Sequence, residues 1–261
     1  GEWFSLEELE AAILEHKPAI LAMVHAETST GVCQPMDGVG DLCRRHDCLL
    51  LLDTVTSLGG VPLYIDDWKV DLAYSCSQKG LSCPPGLGPF TMGPRAEAKM
   101  AARQDKVPNW YLDVSLLNKY WGSDRVYHHT APVNMNFGMR EALRLLAEEG
   151  LDQSWARHRR NAEALWSGLE ALGLEMVVPE EHRLPTLTTV RIPEGVDGKA
   201  FSQHLLNTHG IEVGGGLGSF AGKIWRIGLM GYNSTPENVD RLLDLFKTEL
   251  PSFKGSVAAA A

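Results

Sequence analysis

The chain has 261 residues and a formal net charge of −9, so it lacks the clustered basic surface that nucleic acid requires. With 44% apolar and 22% charged residues it can bury one large core or two modest ones, as soluble proteins do. No apolar run approaches the roughly 20 residues that cross a bilayer, and five cysteines without metal-ligand spacing predict reduced thiols in a reducing compartment.

In chain order, Ser5 and Glu8 make a capping box for a helix over residues 5–15, in which Leu6, Leu9 and Ile13 recur at helical spacing before Pro18 ends it. Residues 19–24 read as a buried strand that exits into the polar loop from His25 to Gly31. A crossover helix over 35–46 leads to the unbroken apolar strand Leu49 to Leu52, which ends in Asp53. Residues 71–75 form the next strand. Pro84, Pro85 and Gly86 turn the chain back, so the strand over 87–92 runs antiparallel. Helices are predicted at 94–103, 132–149 and 151–172, with an irregular, aromatic-rich stretch at 105–131. The basic run from Arg157 to Arg160 reads as a solvated helix face.

Past Gly173, short strands at 175–178, 187–192, 211–213 and 223–229 alternate with helices at 199–209 and 236–250. Gly214 to Gly218 reads as a flexible loop, and the terminal GSVAAAA is expected to fray. All five cysteines are expected to pack as small apolar groups. Repeated strand–helix–strand units predict an α/β fold. Its large domain, residues 1–150, holds a mainly parallel sheet, and a smaller α+β domain spans 151–261.

The segment DLAYSCSQKGLSCPPGLG, residues 71–88, places Lys79 just past a strand end, and Asp53 ends the neighbouring strand. Sheets of this class bind ligands at the carboxyl ends of their strands. An amine beside a carboxylate suits pyridoxal phosphate, because the amine condenses with the aldehyde and the carboxylate keeps the ring nitrogen protonated. Taken singly, Asp53 reads more readily as a cap or turn residue and Lys79 as a surface charge. The ordered run of strand, Cys76, Ser77, Gln78, Lys79, six residues and Gly-x-Gly favours the cofactor. A serine nucleophile of the S-x-x-K type fails, since Cys76 stands where the serine must be. Lys79 and Asp53 are expected to open into one cavity.

Other candidates carry two readings each. Thr28 to Gly31 could face the cofactor or form a plain turn, and Val55 could press on the ring or pack in the core. Gln78 could donate to the phosphate or simply be solvated. Tyr127 and Thr130 offer hydroxyls to a phosphate, whereas adjacent His128 and His129 cannot both face a metal, and no metal centre is expected. Arg226 is the one charge within an apolar strand, which calls for an anionic partner, either a substrate carboxylate or a structural salt bridge.

With these residues in hand the chain resembles the alanine–glyoxylate (serine–pyruvate) aminotransferases of the class V, fold type I pyridoxal-phosphate family. The matching segments include STGVCQPMDGVGDLC, LLLLDTVTSLGGVPLY, DLAYSCSQKGLSCPPG, VYHHTAPV and WRIGLMGYNSTPENVDR. The resemblance implies that Lys79 carries the cofactor and moves the α-proton, that Asp53 pairs with the pyridine nitrogen, and that Val55 packs on the ring. It places Thr28 near the ring hydroxyl and Gln78 on the phosphate. Tyr127 and Thr130 reach the phosphate of a partner subunit in a homodimer, and Arg226 holds the substrate carboxylate. Small amino acids and 2-oxo acids such as alanine, serine, glyoxylate and pyruvate are the implied substrates, and a peroxisome or mitochondrion the implied compartment.

Only the last two thirds of such an enzyme is matched, so the chain reads as truncated at its N-terminus, with an edge of the large sheet uncovered. An inactive product that only binds partner subunits is the alternative. A cysteine desulfurase is set aside because no cysteine follows Cys83.

Overall fold

In the computed structural model, which describes residues 1–254, the predicted capping box is formed. Ser5 Oγ accepts from the Glu8 N–H, and the Glu8 carboxylate accepts from the Ser5 N–H at 2.8 Å. Helix α1 (Leu6–His16) follows and buries Leu9 and Ile13. Strand β1 (Ile20–Val24) leads into a short antiparallel hairpin, β2 (Ala26–Glu27) and β3 (Val32–Cys33), which closes the 28–31 loop. Helix α2 (Val39–Arg45) is shorter than predicted, because Gly38 precedes it with φ 82° and only then can helical geometry begin.

Strands β4 (Leu49–Asp53), β5 (Leu72–Tyr74) and β6 (Phe90–Met92) complete the larger sheet in the order β1-β4-β5-β6. The first three are parallel and β6 is antiparallel to β5, as the turn at 84–86 predicts. Register aligns Val24 with Asp53 and Asp53 with Tyr74, so three strands end on one rim. Buried Asp71 anchors this rim from below, accepting from the Leu50 N–H and from Arg95 Nη1, each at 2.9 Å. As expected, β1 is an edge strand, and its Ile20 and Val24 are exposed. A cleft of about 780 Å³ lies over the start of the sheet, against Ile20, Leu49, Leu72 and Phe90.

Helix α3 (Pro94–Ala101) is followed by a correction to the sequence reading. The 105–131 stretch is not wholly irregular: α4 (Val114–Trp121) lies within it, capped by Asp113, whose side chain accepts from the Ser115 N–H. Val114, Leu117 and Trp121 do recur at helical spacing, but none of its residues is fully buried and the element is only about two turns long.

Helices α5 (Val133–Glu149) and α6 (Leu151–Ala171) bring a second correction. Part of the basic run is structural. Arg157 pairs with Glu149 and donates to the Gly231 and Ser234 carbonyls, while His158 is fully buried.

The smaller sheet is antiparallel, in the order β7 (Leu187–Arg191), β9 (Ile224–Gly228), β8 (Gly214–Gly215), and it packs with α7 (Gly198–His209) and α8 (Pro236–Glu249). Residues 175–178 contribute only the isolated bridge Met176–Val190. The strand expected at 211–213 falls instead on Gly214–Gly215, paired with Arg226 and Trp225, so these glycines are not a loose loop.

Apolar side chains gather in two main cores. One holds Ile13, Val39, Leu42, Leu50 and Leu52, the other Leu165, Phe201, Trp225 and Phe246. A small cluster of Ala26, Val61, Leu184 and Leu187 lies between the two sequence regions. Cys43, Cys48 and Cys83 are buried and Cys33 and Cys76 half-buried, all as free thiols. No helix among the described residues is long and apolar enough to cross a membrane. The GSVAAAA tail lies outside the described residues.

Candidate cofactor and substrate site

Asp53 leaves β4 with both carboxylate oxygens engaged. Oδ1 accepts from the Val55 N–H at 2.8 Å, and Oδ2 accepts from the Tyr74 hydroxyl at 2.6 Å. Hydrogen bonding to Asp53, aided by burial, pushes the Tyr74 phenol up to about 12, so it stays a proton donor. The carboxylate is thereby fixed in orientation while retaining lone pairs for a further cationic donor.

Lys79 sits in the loop after β5. The Ser82 N–H donates to its carbonyl at 2.9 Å, and Ser77 ties the loop by donating to the Pro84 carbonyl at 2.7 Å and accepting from the Cys83 N–H through its own carbonyl at 3.0 Å. Gly80 is required next to it, since a Cβ there would meet the Leu58 carbonyl oxygen at 2.3 Å. The backbone of the lysine is thus held firmly. Its side chain is half-buried, and among the described residues Lys79 Nζ has no hydrogen-bond or ion-pair partner.

Arg226, at the centre of β9, donates through Nε to the Gly215 carbonyl at 2.7 Å and through Nη1 to the Thr28 carbonyl at 3.2 Å. Both acceptors are neutral. The structural salt bridge left open by the sequence is not formed among the described residues, and the guanidinium keeps an uncompensated charge for an anion. Its contact with Thr28 brings the smaller sheet against the 28–31 loop. That loop also receives Thr189 Oγ1, which donates to the Thr30 carbonyl at 2.6 Å, and Thr30 Oγ1 is buried without a partner.

The remaining candidates are less gathered. Val55 is half-buried, and the Cys76 thiol lies 3.9 Å from its carbonyl. Gln78 is exposed at the rim. Tyr127 and Thr130 are exposed and bond to each other at 3.0 Å, with no described contact joining them to the strand ends.

Two side chains escaped the sequence reading. Tyr74 was hidden because its bond to Asp53 depends on the register of neighbouring strands. His158, unmentioned as an anchor, accepts the Gly231 N–H at Nε2 and donates from Nδ1 to the Ser154 carbonyl, which seats Gly231 against the lysine loop. No signal short of the fold reveals that pairing.

Lys79 and Asp53 line none of the four clefts of about 450–780 Å³. The common cavity expected for them is not one of these clefts: Asp53 ends β4 and Lys79 follows β5, with Tyr74 and Gln78 exposed beside them. One of those clefts, about 500 Å³, lies beside buried His25, whose imidazole is pushed down to about 4 by burial. The donor set fits pyridoxal phosphate: an unpaired amine for the aldehyde, a fixed carboxylate for the ring nitrogen and, for a carboxylate, a guanidinium with no acidic partner among the described residues.

The sequence matches the aminotransferase class-V family over residues 2–242. It is 46% identical over 254 residues to an alanine–glyoxylate aminotransferase of Oryctolagus cuniculus, covering 96% of this chain and 65% of that protein. It is 39% identical over 257 residues to an (S)-ureidoglycine–glyoxylate transaminase of Bacillus subtilis, covering 92% and 62%. The structure superposes on that of an alanine–glyoxylate aminotransferase from Nostoc sp. with a TM-score of 0.92 at 65% identity, covering 94% of this chain and 65% of the other. The chain therefore spans just under two thirds of the length of these relatives. All three carry transaminase names, which gives no support to a purely subunit-binding role.

Proposed function

We propose, for a chain that belongs to the aminotransferase class-V family, that the complete protein is a pyridoxal-phosphate-dependent aminotransferase. It exchanges the amino group of a small amino acid such as alanine or serine with a small 2-oxo acid such as glyoxylate or pyruvate. The observation that carries this reading is the unpaired Lys79 amine one strand away from an Asp53 carboxylate held by Tyr74 and Val55.

When bound, the cofactor supplies a covalent anchor for the amino group and a sink for the electron pair left at the α-carbon. The residues of the chain do the rest. Lys79 Nζ would hold the aldehyde at rest and, once the substrate amine has displaced it as a free amine, would be the base that moves the α-proton. The Asp53 carboxylate accepts the pyridine N–H and keeps that nitrogen protonated, while Val55 and Thr28 bound the ring and Gln78 donates to the phosphate. Arg226 binds the substrate α-carboxylate in a two-pronged grip.

A homodimer completes the site in this reading, with Tyr127 and Thr130 serving the partner subunit's cofactor. Exposed Trp110, Tyr111, Trp121, Tyr127 and Phe137 support it, since aromatic side chains left in water are typical of interfaces. A peroxisomal or mitochondrial address rests on resemblance alone.

The test is a steady-state assay of the complete protein with alanine and glyoxylate. Arg226→Ala should raise KM for both substrates far more than it changes cofactor binding, by about 100-fold for the lost charge-assisted pair. Equal KM in the variant and the parent would contradict the assignment.

A further inference from the structure

We propose that His204, His209 and Glu249 form a binding site for a divalent transition metal of the zinc class, separate from the strand-end site. The inference does not depend on the transaminase reading. His204 lies in the last turns of α7, His209 is the final residue of that helix, and Glu249 is the final residue of α8. The fold brings these helix ends together so that one ligand atom from each residue lies within 4.8 Å of the others. His204 Nε2 contacts one oxygen of the Glu249 carboxylate, and His209 Nε2 lies 2.7 Å from the other.

The chemistry of this trio exceeds that of an ordinary ion pair. Two imidazoles converge on the two oxygens of one carboxylate, a donor set suited to zinc and its neighbours. His209 Nε2 is buried and, despite its short distance to Glu249, makes no hydrogen bond, because its direction does not meet the oxygen. A cation between the three groups would satisfy that orphaned nitrogen. The support around the ligands is also present. Thr208 Oγ1 lies 3.2 Å from His204 Nδ1 and can accept its proton, the arrangement that leaves Nε2 free to ligate. Arg241 donates to the His209 carbonyl at 2.7 Å and fixes the helix end.

Tetrahedral bonds of about 2.0–2.1 Å set ligand atoms about 3.3 Å apart, so the carboxylate must withdraw by roughly half an ångström from His209 and about one ångström from His204 to admit the ion. Glu249 is a helix-terminal residue at the protein surface with its side chain one quarter exposed, and has room to do so. Three protein ligands leave a fourth position for water. Because α7 and α8 carry Phe201, Leu205 and Phe246 into the smaller core, a bound ion would clamp the two helices across that core. Sequence spacing carried no expectation of a metal here, since the ligands are split between 204–209 and 249.

The experiment is a chelator competition titration of the purified protein with Zn2+, alongside absorption spectra with Co2+. One Zn2+ per chain should bind, and Co2+ should give weak visible bands without a thiolate charge-transfer band, which excludes the cysteines as ligands. His204→Asn and Glu249→Gln should each weaken Zn2+ binding by more than about 100-fold, and Thr208→Val by about 10-fold. Circular dichroism of each variant checks that it is folded, and the wild-type Co2+ spectrum decides independently of them. Absence of stoichiometric binding, a thiolate band, or equal affinity in folded His204→Asn and Glu249→Gln would overturn the proposal.

Discussion

Asp53 and Tyr74 show how much a single bond can set. The phenol spans from β5 to β4 and holds a carboxylate oxygen at 2.6 Å. Tyr74→Phe removes that donor without removing the ring. A hydrogen bond to a charged acceptor contributes about 1.5–3 kcal/mol when shielded; Tyr74 is 39% exposed, so about 1 kcal/mol is the appropriate expectation. Cofactor affinity in the complete protein should fall about 5-fold, read by fluorescence titration, and an unchanged affinity would show that Val55 alone suffices to orient Asp53. Lys79 and Asp53 are proposed from the sequence, because an ordered run of unlike residues at a strand end has few other uses. Tyr74 was not, since its role exists only once register places it opposite Asp53.

His25 carries the clearest pH signal at this scale. Burial holds its imidazole neutral down to about 4, against an ordinary value of 6.5. Between those values the unfolded chain binds a proton that the folded chain refuses, so acid favours unfolding. Stability should be level above about pH 6.5 and fall by up to about 3 kcal/mol as pH drops towards 4. Burial also depresses His158, which adds in the same direction. Denaturant melts of His25→Gln should show a shallower loss over that window, and parallel curves for the variant and the parent would remove His25 as the cause.

Among the elements, β4 and β5 depend on Asp71. This buried carboxylate serves the Leu50 N–H and the Arg95 guanidinium at once. Asp71→Ala strands both donors and should cost about 3–5 kcal/mol, measured by urea melts. A loss below about 1 kcal/mol would mean that water replaces the carboxylate. The parallel strands, the antiparallel return and most helices were readable from apolar runs and turn residues. Helix α4 was not, because its apolar repeat spans only about two turns inside a stretch read as irregular from its aromatic content. Gly214–Gly215 was misplaced for the opposite reason: glycine signals loops in sequence, yet here two glycines form the strand that lies against Arg226.

At the scale of the whole molecule, two cores, one of residues 9–73 and one of residues 165–250, support our proposal that the chain divides near residue 150. Among the contacts between the regions, Arg226 reaches Thr28 and Gly231 abuts the lysine loop. A substrate carboxylate and a cofactor ring would therefore meet where the two regions touch. Exposed β1, the cleft over the sheet and the aromatic surface of 110–137 are the features least explained by this chain alone. The partial match to the family pattern led to the expectation of an uncovered edge, but not of which side chains would be left exposed.

The central claim is that Lys79 Nζ bonds the cofactor. Borohydride reduction of the complete protein with pyridoxal phosphate, followed by peptide mass spectrometry, tests it directly. The account predicts one reduced phosphopyridoxyl group per chain, on the peptide containing Lys79, and none on that peptide in Lys79→Ala. Stoichiometric labelling of another lysine, or of none, would contradict it.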